Sequence, residues 1–134
     1  LMRANFGVMN NRSLQTAWIY HFGSSVTDIY RFAAPLPHTP TTIAPAPLQQ
    51  NGVQWIARNA IGGGPNLVSN GQVNVTYNEE VMFDSGVGKD NGDPRTAIGY
   101  TANGKIIMFV VDGRRNGLGL SLPQVANVMI QHGK

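Results

Sequence analysis

Two arginines and one aspartate could do chemistry in a chain that is otherwise poor in charge. Arg95 opens the stretch "RTAIGYTANGKIIMFVVDGRR", and Asp112 and Arg114 lie close to its end. A guanidinium fork suits a pair of phosphate oxygens, and a carboxylate held between arginines stays ionised and oriented. The simpler reading is an Asp-Gly turn whose arginines are solvated, and turn chemistry favours it at least as much. A second candidate is "IGGGPNL", residues 61–67, where consecutive glycines let main-chain N–H groups point at an anion. It has neither the dinucleotide spacing nor the Walker lysine-serine ending, so a tight turn entering a strand is the stronger reading on pattern alone.

The remaining chemistry-bearing residues point nowhere in particular. His21, His38 and His132 lack metal-ligand spacing and there is no cysteine, so neither a metal nor a cofactor is expected. Glu79-Glu80 reads as the solvated start of a short helical turn. Trp18 and Trp55 read as core or rim aromatics, and no Ser-His-Asp arrangement can be assembled.

What must position Arg95 and Asp112 is a hairpin. Asn103-Gly104 joins two strand-like runs, and a two-residue I′ turn there brings Arg95 and Thr96 back beside Asp112, Gly113 and Arg114. Asn70-Gly71 signals another hairpin. Residues 1–34 hold the aromatic strand candidates "TAWIYHF" and "TDIYRFA", and residues 35–50 form a proline-rich loop. Near the end, Ser121 and Gln124 make a capping box with Pro123 in the first turn. Leu122, Val125, Ala126, Met129 and Ile130 then share one helical face, and Gly133 stops the helix. These elements predict an α+β fold, a mostly antiparallel sheet of hairpins with a C-terminal helix packed on it.

At 134 residues the chain makes a single domain or a piece of one. Only 13% of residues are charged and the net charge is +3, with Lys and Arg scattered, which argues against a nucleic-acid partner. No apolar run reaches the length of a membrane span.

Three ordered motifs converge on one family. "AIGGGPNLVSNGQ" followed by "PRTAIGYTANGKIIMFVVDGRRNGLGLSLPQVANVMIQHG" resembles the phosphodiester glycosidases over about residues 55–134. The resemblance implies removal of a sugar from a phosphodiester, leaving a phosphate monoester. It implies that Arg95, Asp112 and Arg114 form the catalytic set, with Gly63, Gly64, Pro65 and Thr96 binding a glycan or sugar-phosphate substrate. The leaving phosphate is weakly basic, so the site needs anion clamps more than a strong acid. Asp112 would then serve as nucleophile, base or oxocarbenium stabiliser. An extracytoplasmic location is implied as well. A carbohydrate-binding module that keeps the fold without catalysis is the alternative. The family pattern runs on into a strand ending Asp-Gly-Gly-Gly-Ser. Residues 51–134 form a core without that segment, so another chain or segment is expected to complete the sheet beside the hairpin.

Overall fold

The computed structural model describes residues 1–36, 46–114 and 118–133. The first half builds one antiparallel sheet from β1 (Arg3–Met9), β2 (Leu14–His21), β3 (Ile29–Phe32), β4 (Val53–Gln54) and β5 (Ala57–Gly62), in the order β4-β3-β2-β1-β5. Alternation in "TAWIYHF" gives β2 two apolar faces. Ala17 and Ile19 are buried on one face, packed with Trp55, Met9, Ile29 and Ala57. Trp18 and Tyr20 lie on the other, opposite Phe32 and Tyr30 of β3.

Gly7 on β1 lets the Trp55 ring lie flat against the strand. A Cβ at Gly7 would stand 2.4 Å from Trp55 Cζ2, and the indole is anchored by donating to Gln15 Oε1 at 3.0 Å. With the ring pinned, the strand has no room to give. Gly7→Ala is therefore expected to cost about 1–3 kcal/mol, read from urea unfolding. A midpoint equal to the wild type would show that the ring moves freely.

The second half holds β6 (Val68–Ser69), β7 (Gln72–Val73), β8 (Arg95–Tyr100), β9 (Ile106–Val111) and α1 (Leu122–His132). β6 and β7 turn at Asn70-Gly71 with both residues at positive φ, 52° and 74°, as a two-residue I′ turn requires. The capping box at the start of α1 is formed on both sides, with Ser121 Oγ accepting from Gln124 N and Gln124 Oε1 accepting from Ser121 N. Leu122, Val125 and Ala126 are buried, while Met129 and Ile130 are half-buried. The expected α+β class is the observed one, antiparallel pairing throughout and one C-terminal helix.

β8 and β9 pair with each other, and no other strand among the described residues joins them. Ala97, Gly99, Ile107 and Phe109 are half-buried on one face of the pair. Ile98, Tyr100, Ile106, Met108 and Val110 are exposed on the other. Of the proline-rich loop, residues 37–45, with His38, lie outside the described set.

Candidate active site

The most constrained polar group among the described residues is Glu80. Its side chain is fully buried, and four donors converge on its two carboxylate oxygens. Ala4 N donates to Oε1 at 2.6 Å. Asn66 N donates to Oε2 at 2.7 Å, Trp18 Nε1 donates to it at 3.2 Å, and Thr76 Oγ1 donates to it as well. Arg3 braces the main chain behind it, with Nε donating to Glu80 O at 2.9 Å and Nη2 to Val81 O at 3.4 Å. Val81 itself is held at φ 55°, a left-handed conformation rare for a β-branched residue. Residues 4, 18, 66 and 76 come from four places in the chain, so Glu80 ties the large sheet to the loop after β5.

The glycine-rich loop wraps this carboxylate. Gly63 N donates to Ala4 O at 3.1 Å as β5 ends. At Gly64, with φ 123°, an added Cβ would stand 2.7 Å from Glu80 Oε1. Pro65 and Asn66 are buried behind it. The loop thus does give a main-chain N–H to an anion, and the anion is its own Glu80. Reading Glu79-Glu80 as solvated fails at Glu80, because two of its four partners, Ala4 and Trp18, are distant in sequence and no local pattern announces them. Gly63 faces open space, with nothing within 4 Å of a Cβ placed there.

At the hairpin the turn differs from the expected one by a single residue. Thr101 N donates to Lys105 O and Gly104 N to Thr101 O, which encloses a three-residue loop, Ala102 to Gly104, with Gly104 at φ 84°. A two-residue turn would set Arg95 opposite Asp112; the observed register sets it opposite Val111. A slip of one residue moves a side chain to the other face of the sheet. Arg95 and Asp112 are accordingly on opposite faces, and Arg95, on the face of Ala97 and Gly99, points inward with its side chain 8% exposed. Its Nε donates to Leu120 O at 2.9 Å, and its Nη2 donates to Gly88 O and Asn91 O at 2.8 Å each and pairs with Asp93 at 3.2 Å. These bonds hold the loop before β8 against the segment leading to α1.

Thr96 and Asp112 fall on the opposite, exposed side. Thr96 pairs with Val110, and continuing the alternation puts Asp112 on that side too. Asp112 Oδ1 accepts from Arg114 N at 3.0 Å, an Asx turn that fixes the carboxylate and leaves it exposed, as is the Arg114 side chain. Gly113 packs close, since its Cβ position lies 2.6 Å from Pro94 N. Asp112 is thus bonded to the main chain of Arg114, and both side chains are exposed at the hairpin end. The expected convergence of Arg95 with them gives way to its bonds with loop carbonyls, and Gly63 to Pro65 are held against β1 and Glu80. Arg115 lies outside the described residues.

Among the described residues no cluster of three or more His, Cys, Asp or Glu is placed to hold a metal, and no helix is long and apolar enough to cross a membrane. The sequence profile of the phosphodiester glycosidase family matches residues 5–134, nearly the whole chain, and the protein belongs to that family. No curated protein and no solved structure matches it significantly.

Proposed function

We propose that this chain hydrolyses a glycosyl phosphodiester, releasing the sugar and leaving a phosphate monoester. The observation that carries the reading is the family match, which spans both the glycine-proline loop and the Asp112-Gly113-Arg114 turn. In the reaction the bond between the anomeric carbon and the ester oxygen breaks, and its electron pair leaves on the phosphate. Water supplies the new anomeric hydroxyl and gives up a proton. Because the departing phosphate is already weakly basic, charge placement matters more than a strong general acid.

Asp112 acts at the anomeric centre, as nucleophile, base or stabiliser of the oxocarbenium-like transition state. Arg114 clamps the phosphoryl oxygens, and Thr96 contacts the sugar from the same exposed side. Of the glycine-proline loop, Gly63 faces open space and offers main chain that a substrate can approach without a side-chain clash, while Gly64 and Pro65 hold the loop in place against Glu80. Arg95 serves this site as a positioning residue, through the loop it holds. An extracytoplasmic setting, where such glycans are met, belongs to the same proposal.

Incubation with an alkyl glycosyl phosphodiester tests the reading. Equal amounts of free sugar and alkyl phosphate are expected by mass spectrometry. Release of alcohol and glycosyl phosphate, or no turnover, would contradict it. One observation favours a binding module instead. The half-buried rings of Tyr20, Phe22 and Tyr30 cluster on the large sheet, Phe22 lying 4.8 Å from Tyr20 and 5.4 Å from Tyr30 by centroid, which suits stacking on a sugar. Sugar binding without turnover would favour that module.

A further inference from the structure

A groove of about 780 Å³ opens beside the tip of the β8–β9 hairpin, walled by the β1–β2 turn, β5 and residues Tyr100 to Gly104. Two arginines line it, Arg12 and Arg58, and no carboxylate does. Among the described residues neither guanidinium has an ion-pair partner.

Both arginines owe their placement to irregular backbone. Val8 pairs with Asn59 and Met9 with Ala57, so Arg58 is the extra residue of a β-bulge in β5. Bulges re-aim a side chain and are frequent near binding sites. Arg12 lies in a turn closed like the one at the hairpin tip: Met9 N donates to Ser13 O and Arg12 N to Met9 O, matching Thr101 N to Lys105 O and Gly104 N to Thr101 O. In the second turn the left-handed position belongs to Gly104, at φ 84°; in the first it belongs to Arg12, at φ 67°. Glycine meets that conformation without steric cost and arginine does not. Two independent departures from regular strand and turn place the two arginines on one groove.

We infer that this groove binds the anionic group of an acidic sugar. Arg12 and Arg58 take the oxyanion by charge-assisted hydrogen bonds. The Tyr100 ring, 41% exposed and backed by Phe6 at 6.1 Å, gives the sugar a stacking surface, and the Asn59 and Asn103 amides lie within reach of its hydroxyls. The site is separate from Asp112, which sits at the other end of strands six residues long, roughly 20 Å away. The anion part of the inference stands on the arginines alone, while the sugar part rests on the glycosidase reading.

Titration of the whole chain with glucuronate, acetate and neutral glucose at low salt, followed by NMR, tests it. Glucuronate is expected to bind more tightly than acetate, which lacks a ring, and than glucose, which lacks the charge. Arg12→Ala with Arg58→Ala, both exposed positions, should weaken glucuronate about tenfold. Arg12→Gly should also weaken it while Tm stays level or rises, since the turn loses its steric strain. Asp112→Asn should leave glucuronate affinity unchanged, which separates this site from catalysis. An R12A/R58A double variant within twofold of wild type would overturn the arginine assignment. Acetate or glucose binding as well as glucuronate would overturn the acidic sugar.

Discussion

Replacing Glu80 by Ala is expected to leave the chain unfolded or to lower its stability by about 3–5 kcal/mol, the largest structural effect of any single substitution considered. The side chain is fully buried, and removing it orphans the N–H groups of Ala4 and Asn66, the Trp18 indole and the Thr76 hydroxyl. Each buried donor left without a partner costs about 1–3 kcal/mol. Glu80→Gln should rescue little. Both oxygens accept from N–H donors, so either orientation of the amide sets an NH2 group against another donor. Circular dichroism during urea unfolding reads both variants. A Gln variant as stable as wild type would contradict the account of Glu80 as an acceptor for four donors.

Much of the fold is legible in the sequence because its signals are local. Asn70-Gly71, the Ser121/Gln124 capping box and the alternation of "TAWIYHF" each act within a few residues, and each gives the expected element. Asn103-Gly104 shows where this stops. The dipeptide is compatible with a two-residue turn and with a three-residue loop ending in left-handed glycine, and the two differ by one residue in register. What the turn leaves open is packing: Gly99 faces α1, where a Cβ would stand 2.9 Å from Met129 Cε, which fixes the inward face of β8. Small residues at Ala97 and Gly99 are the signal that this side of β8, with Arg95 on it, packs inward. Glu80 is harder still, since its partners lie 76, 62, 14 and 4 residues away. Its one nearby trace is position, directly before the apolar run Val81, Met82 and Phe83.

The second large effect concerns catalysis. Asp112→Asn is expected to lower kcat/KM on a glycosyl phosphodiester by about a hundredfold or more, the scale on which a lost acid-base or charge-stabilising group is felt. Arg114→Ala should lose about as much, because a phosphate leaving group is stabilised chiefly by the charge beside it. Neither should change the unfolding free energy from urea denaturation by more than about 0.5 kcal/mol, since both side chains are exposed. Arg31→Ala, an exposed arginine on the large sheet, should leave kcat/KM unchanged. Equal, small effects at Asp112, Arg114 and Arg31 would reduce the hairpin end to a turn with solvated charges.

The most direct test of the glycosidase reading follows one atom. If water attacks the anomeric carbon, turnover in water enriched in heavy oxygen leaves the phosphate monoester unlabelled, because its oxygens all come from the substrate. That is the expected result by mass spectrometry of the purified monoester, and Asp112→Asn should slow formation of this unlabelled product. Heavy oxygen in the monoester would place the attack on phosphorus, and the chain would be cleaving a phosphate ester rather than a glycoside.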